Sequence, residues 1–506
     1  MEMMKVLLKG HDYKYEVGEL LKLFVPGNRI QFLNEKALGD NQSFLLVSSL
    51  WKKGEGVIAE CGLFCGSKQI LSKKLSYKDV DTLGHEGPKG IKRAIKLSIF
   101  HVLSEHFHMS PPWGILTGIR PSKIVHELMD QGMDGNAIEQ QLRDDYKISR
   151  EKINLVMEIA LRERAILESN DALHYSLYIS IPFCPTRCVY CSFPSNPVGN
   201  EKRDLVSSYL DALYFEIRET GKLLQSLGRK VDTLYIGGGT PTVLGAHDLD
   251  RLIREVKEYF DFSEVREITV EAGRPDTIDR KKLMVLKEHG VGRISINPQT
   301  MNEITLERMG RSHSPQAIKD AYALAKTVGF QTINMDLIIG LPGETPEMVE
   351  ETMKDLLEMK PENITVHTLA VKKASKLKEN LEAFELAQEE QAKKMLGIAE
   401  GYARQMGLHP YYMYRQKYMV GNLENIGYCL PGHACRYNIQ IIEERQSIIA
   451  LGAGAISKIY YSHENRLERV PNVTNVEQYI QRVEEMVEKK RIELEKQETV
   501  LTGNRT

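Results

Sequence analysis

Between about residues 171 and 375, apolar β-branched runs alternate with amphipathic ones. The strand-length runs are HYSLYISIP, VDTLYIGGG, REITVEAG, GRISINPQ, TINMDLIIGLP and NITVHTLAV. Between them, apolar positions recur at helical spacing in RDLVSSYLDALYFEIRETGKLL, LDRLIREVKEYF, DRKKLMVLKEH, PQAIKDAYALAKTVG and PEMVEETMKDLLEM. This alternation predicts parallel βα units. Right-handed crossovers would curl such a series into a partial (βα)6 TIM-like barrel over 171–375.

The flanks read differently. In residues 1–165 the strand candidates QSFLLVSSLW and EGVIAECGLF precede the helical KGIKRAIKLSIFHVLSEHF and NAIEQQLRDDYKI. These predict an N-terminal α/β accessory domain, joined on through the helix REKINLVMEIALRERAILES. From 376 to 506 come a long helix (FELAQEEQAKKMLGIAEGYARQMG), an aromatic patch (HPYYMYRQKYM), a Gly-rich piece (IIALGAGAISKIYY) and a charged terminal helix. A C-terminal, mainly helical subdomain is expected there. The fold class is therefore α/β.

Composition narrows the partners. The 506 residues suffice for two to four domains, and 42% hydrophobic with 27% charged residues is ordinary for a soluble globular chain. Lys plus Arg is 67 and Asp plus Glu is 69, a net charge of -2. With no dedicated basic segment, no nucleic-acid partner is expected. The apolar piece of MEMMKVLLKGHDYKYEV is too short for a signal peptide, and no run approaches the ~20 residues of a membrane span. A cytoplasmic protein is expected, so the seven cysteines read as reduced thiols, ligands or core residues.

Three of those thiols fall in one loop. Cys184, Cys188 and Cys191 form C-x3-C-x2-C directly after an apolar run. A structural zinc normally takes four ligands, so zinc here would need a distant partner. An iron–sulfur cluster also accepts thiolates, and three of them would leave one iron of four open. Functional groups of a parallel βα barrel gather where the strands end. Gly237-Gly238-Gly239-Thr240-Pro241, Glu271, Gln299, Asp336, and His367 with Ala370 arrive at that rim in turn. The glycine run is no phosphate loop, because no Lys-Ser/Thr follows it. Taken singly, Glu271 or Asp336 also suits a helix cap, Arg311 a surface charge, and His367 a hydrogen-bonded rim residue.

CPTRCVYC is similar to the signature of radical S-adenosylmethionine enzymes. Across 171–375, and more loosely to about 460, the chain resembles the oxygen-independent coproporphyrinogen III oxidase family, in a longer subfamily with an extra N-terminal domain. The likeness rests on YISIPFCPTRCVYCSF, YIGGGTPT, TVEAGRPDT, SINPQT, the ERMGR arginine, NMDLIIGLPGET and GAGAIS. It implies a [4Fe–4S] cluster on Cys184, Cys188 and Cys191, whose open iron chelates S-adenosyl-L-methionine. One electron then splits the sulfonium and yields a 5′-deoxyadenosyl radical. Cofactor contacts are implied at Tyr178, Tyr190, Gly238, Gly239, Thr240, Glu271, Gln299, Arg311, Asp336 and Ala370, and by a looser match at Ile456. Asp336 would meet a ribose hydroxyl.

The implied activity is an oxidoreductase of porphyrin and haem biosynthesis. It would convert coproporphyrinogen III propionates to vinyl groups, giving protoporphyrinogen IX, with an electron donor such as flavodoxin or ferredoxin. Four substrate carboxylates call for arginines, and Arg187, Arg274 and Arg120 are candidates. The alternative is a haem-binding chaperone of the same family without oxidase activity. That branch shares the CxF ending seen in Cys191-Ser192-Phe193, and carries a His-Asn-x-x-Tyr-Trp haem motif. Here Tyr437 stands in place of the motif histidine and Ile441-Ile442 in place of Tyr-Trp, although His433 or Cys435 remain substitutes. Cys61 and Cys65 read as core thiols, in preference to an auxiliary cluster.

Overall fold

The computed structural model describes residues 3–34, 44–53, 56–76, 87–193, 195–199, 203–372, 375–379, 387–416, 419 and 423–503. The chain forms two compact units, Met1–Glu158 and Ile159–Thr506. The first contains β1 (Met4–Lys9), β2 (Ile30–Leu33), β3 (Phe44–Lys53), β4 (Gly56–Cys65) and β5 (Lys68–Ser76), in sheet order β2-β1-β3-β4-β5. Strand β1 is parallel to both neighbours, whereas β3, β4 and β5 run antiparallel. The helix Pro88–Phe107, opened by proline at its first position, packs along β4 and β5. Its Ile95, Ile99 and Leu103 share a core with Val6, Leu46, Ala59 and Leu63. Cys61 belongs to that core, as expected, but Cys65 is exposed at the strand end.

The second unit is built on one eleven-stranded sheet. The six expected parallel strands all form: β6 (His174–Ile181), then β9 (Lys230–Gly238), β10 (Glu267–Glu271), β11 (Arg293–Ser295), β12 (Thr332–Ile339) and β13 (Asn363–Thr368). Two short strands after β6, β7 (Phe183–Cys184) and β8 (Asn196–Pro197), pair with each other. Strands β6, β9 and β12 are buried almost end to end, as strands covered on both faces are. The intervening helices start where the chain supplies caps. Asp279, Ser314 and Thr345 accept from Lys282, Ala317 and Met348 backbone N–H groups, and prolines open the latter two helices.

The C-terminal stretch carries the helices Glu389–Gln405, Arg436–Glu443, Val476–Gln481 and Val483–Gly503. The first residues expected in the long helix, 384–386, lie outside the described residues. The same stretch also supplies strands that the mainly helical expectation omitted. These are β14 (His409–Tyr414), β15 (Asn425–Cys429), β16 (Ser447–Leu451), β17 (Ile456–Tyr461) and β18 (Arg466–Pro471). The full order is β14-β15-β13-β12-β11-β10-β9-β6-β16-β17-β18. The aromatic patch thus becomes one flank of the barrel sheet and the Gly-rich piece the other. Strands β15 and β16 are buried throughout and β14 nearly so, so none of these three alternates exposed with buried positions. Among the described residues, no helix is long and apolar enough to cross a membrane.

Candidate active site

Strand β6 delivers the chain to the cysteine loop. Pairing of β7 with β8, together with Asn196 N–H on the Pro182 carbonyl (2.8 Å) and Val198 N–H on that of Cys184 (3.0 Å), closes the loop's base. Farther out, Val189 N–H donates to the Met309 carbonyl at 3.1 Å and the Val189 carbonyl accepts from Leu377 N–H at 3.0 Å. The loop is therefore fixed by the strand ends around it. Burial pushes the Cys184 and Cys191 thiols up from their ordinary values. At Cys184 this is opposed by Thr240 Oγ1, which donates to its Sγ at 3.5 Å; Arg274 Nη1 points to Cys188 Sγ at 3.9 Å. Donors aimed at sulfur are what thiolate ligands require.

The donor set fits a cluster better than a single ion. Cys184, Cys188 and Cys191 face one cavity from a single loop, one thiol short of the four ligands a closed zinc site takes. An iron–sulfur cluster accepts three thiolates and leaves one of four irons open.

Strand β9 ends in the glycine run. Gly239 N–H donates to the Ile181 carbonyl (2.8 Å) and Thr240 N–H to that of Phe183 (2.7 Å). A Cβ on Gly239 would lie 2.4 Å from the Phe183 carbonyl oxygen, and Gly238 has φ of 110°. The bareness expected for a ligand's approach is thus already demanded by the cysteine strand beside it.

The next strand ends set two acids against different surroundings. Burial lifts the Glu271 carboxyl to about 7 despite a 2.7 Å hydrogen bond from the Tyr235 hydroxyl, and the nearby negative Asp336 adds to the rise. Burial also acts to raise Asp336. His367 at 3.9 Å and the Asn334 amide at 2.7 Å outweigh it and hold that carboxyl below the ordinary value. Two carboxyls on the cavity wall are thereby shifted in opposite directions, Glu271 up and Asp336 down.

Gln299 continues β11 in the left-handed region, with φ of 66°. Its N–H donates to the Asp336 carbonyl (2.9 Å) and its own carbonyl accepts from Ile338 N–H (3.0 Å). Such a conformation costs a non-glycine residue on the order of 1–3 kcal/mol, and it clusters at functional sites. Arg311 is not a surface charge. It is 5% exposed and donates to the Tyr190 hydroxyl (3.0 Å) and to the Gly273 and Asn297 carbonyls (2.8 and 2.7 Å). Ala370 sits past the end of β13, bridged to Met419, and Ile456 opens β17 half-exposed.

The three cysteines and all the expected cofactor contacts, Tyr178 on β6 included, lie on the wall of one cavity of about 660 Å³. Of the arginines considered for substrate, Arg274 lines it but is already engaged. Its Nε and Nη2 each reach a carboxylate oxygen of Asp276 at 2.9 Å, and Nη1 reaches Thr186 Oγ1 at 3.0 Å. Arg187 is not among the lining residues, and Arg120 lies in the first unit.

Two features escaped the sequence reading. One is a tyrosine stack on the wall, with Tyr235 and Tyr437 ring centroids 4.4 Å apart and Tyr178 at 6.0 Å from Tyr437. The other is a second tier of polar residues one alternation deeper than the rim: Thr269 below Glu271, Asn334 below Asp336, Thr365 below His367. The period-two signal for that tier is present in the sequence. Tyr437 is the residue that replaces the haem-motif histidine. The substitute ligands are occupied as well. His433 Nδ1 pairs with Thr332 Oγ1 at 2.8 Å, and the Cys435 thiol donates to Glu267 at 3.3 Å.

Residues 178–356 match the Radical SAM superfamily. Over 424 residues the chain is 40% identical to the oxygen-independent coproporphyrinogen-III oxidase-like protein HemZ of Bacillus subtilis, across 83% of this chain and 84% of that protein. The chain belongs to the radical SAM superfamily, as a coproporphyrinogen-oxidase-like member. Membership implies a [4Fe–4S] cluster and S-adenosyl-L-methionine. The architecture of this oxidase-like chain is similar to that of coproporphyrinogen III oxidase HemN from Escherichia coli. The TM-score is 0.50 at 25% identity, over 65% of this chain and 73% of that one. The heme chaperone HemW of Lactococcus lactis is 36% identical over 194 residues, only 38% of this chain and 48% of that protein.

Proposed function

We propose that this protein is a cytoplasmic oxidoreductase of porphyrin biosynthesis that decarboxylates coproporphyrinogen III propionates to vinyl groups without oxygen, giving protoporphyrinogen IX. The observation that carries the reading is the single cavity of about 660 Å³ joining the three-thiol loop to the rim residues of six successive strands. Cys184, Cys188 and Cys191 would hold the cluster, and the rim from Tyr178 to Ile456 would hold S-adenosyl-L-methionine. When bound, the pair supplies a reductively generated carbon radical able to abstract hydrogen from an unactivated carbon. An electron donor such as flavodoxin or ferredoxin would feed it.

The chain's own residues have definable tasks. Asp336, kept ionised by His367 and Asn334, accepts hydrogen bonds from vicinal hydroxyls, as acidic residues do in dinucleotide folds. Glu271 shares the hydroxyl of Tyr235 and stands ready to receive a cationic amino group. Arg311 fixes Tyr190 and two loop carbonyls, so the cysteine loop and the third and fourth strand ends keep their spacing. Ile338, Leu369 and the tyrosine stack exclude water from the reacting region.

The oxidase reading is favoured over a haem chaperone by Tyr437, which is packed into a stack where the chaperone motif requires a free histidine. The test is anaerobic incubation of reconstituted protein with coproporphyrinogen III, S-adenosyl-L-methionine and a reductant. Vinyl products accompanied by 5′-deoxyadenosine are expected. Release of 5′-deoxyadenosine with no vinyl product would overturn the substrate assignment, and stoichiometric haem retention without decarboxylation would favour the chaperone.

A further inference from the structure

The cavity wall carries more cations than the expected cofactor contacts account for, and nearly all are committed. Arg274 is clamped by Asp276, Arg311 by Tyr190 and two carbonyls, and Lys458 by Glu444 at 2.8 Å. Arg293, at the start of β11, donates to the His433 carbonyl at 2.6 Å. Lys372 differs. It follows Ala370 by two positions and lines the cavity; its carbonyl accepts from Ser375, but its ammonium, with the Cys191 thiol as its electrostatic neighbour, makes no hydrogen bond or ion pair with any described residue. Its ammonium lies 5.8 Å from the ring centroid of Phe193.

Phe193 is itself anomalous. It follows Cys191 by two positions, lines the same cavity, and is 61% exposed. An exposed aromatic face beside an uncommitted ammonium is a built amphipathic contact, able to take an apolar ring and an anion side by side.

We propose that Lys372 and Phe193 form the substrate-docking contact. The ammonium receives a peripheral carboxylate of the substrate, and the Phe193 face packs against the pyrrole ring that bears it. This rests on the reading of the substrate as a carboxylate-bearing tetrapyrrole, and makes Lys372 a specificity-determining residue. Arg274, the sequence's candidate for that task, is left to its partners. A charge-assisted contact from a flexible ammonium suits a substrate whose several propionates must be presented in turn, since a point charge does not impose a bidentate geometry.

The test uses the reconstituted, cluster-bearing protein under anaerobic conditions, with coproporphyrin III as a stable fluorescent probe and its tetramethyl ester as the uncharged control. K372Q is expected to weaken coproporphyrin binding about tenfold, K372R about twofold or less, and F193A about tenfold. The ester should bind wild type and K372Q alike, and F193A more weakly. In turnover, K372Q should raise KM for coproporphyrinogen III while kcat is largely kept. Unchanged coproporphyrin affinity in K372Q would overturn the proposal, as would an equal loss for acid and ester. A shifted cluster potential without a change in probe binding would also overturn it, reassigning Lys372 to the cluster. Wild-type protein that binds the probe in a Lys372-dependent way yet makes no vinyl product would sink the oxidase reading and leave the docking contact standing.

Discussion

The Lys490 ammonium donates to Glu216 Oε1 at 2.7 Å, and neither side chain is exposed at all. The second carboxylate oxygen accepts from Gly452 N–H (2.7 Å) and the Tyr479 hydroxyl (2.6 Å), while Lys490 also reaches Asn472 Oδ1 at 2.6 Å. The pair thus anchors the terminal helix and the helix Arg203–Ser226 to the loop that leads to Ala453 and Ile456 on the cavity wall. Removing one partner strands a buried charge. K490M is expected to destabilise the second unit by ~3–5 kcal/mol, read from the urea midpoint, and the double variant E216Q/K490M to recover much of the loss.

Glu271 sets a pH dependence. Its folded carboxyl titrates near 7 and its unfolded one near the ordinary 4.5, so the folded protein holds a proton that the unfolded chain has released. Without ligand, this group's contribution to stability is full below about pH 4.5 and is lost as pH rises toward 7. A cationic ligand group at Glu271 requires the deprotonated form, so affinity for S-adenosyl-L-methionine should increase severalfold from pH 6 to 8. E271Q should bind more weakly and without that slope, as calorimetry across the range would reveal.

Arg311 serves through its fork of donors rather than through charge alone. R311K keeps the charge and cannot satisfy the Tyr190 hydroxyl and two carbonyls together. It should weaken S-adenosyl-L-methionine binding about tenfold or more while iron loading persists. Equilibrium dialysis alongside iron analysis separates the two effects.

The cysteines divide sharply. Serine at Cys184, Cys188 or Cys191 should abolish the visible iron–sulfur absorbance after anaerobic reconstitution. Serine at the exposed Cys65 should leave the iron content intact. An iron content insensitive to the loop serines would contradict a cluster at this site.

The barrel was legible because its strands read as largely apolar, β-branched runs, with polar residues arriving where several of them end at the rim. Glu271, Gln299 and Asp336 could be read from position alone for that reason. Arg311 was ambiguous, because its burial depends on Gly273 and Asn297, which belong to other loops. The flanking strands were hidden in an aromatic patch and a glycine-rich piece with no period to detect. The Glu216–Lys490 pair spans 274 positions, and no local pattern signals a partner so far away.

The sheet takes its outermost strands on both sides from the last third of the chain, β14 and β15 beside β13, and β16 to β18 beside β6. During synthesis, the nascent barrel therefore leaves the ribosome with two raw margins. One is sealed only when Cys429 has emerged, and the other only after Ser447. A truncation between these points would yield a half-hemmed species with the hydrogen-bonding groups of β6 bare along one side, prone to stick to its own copies.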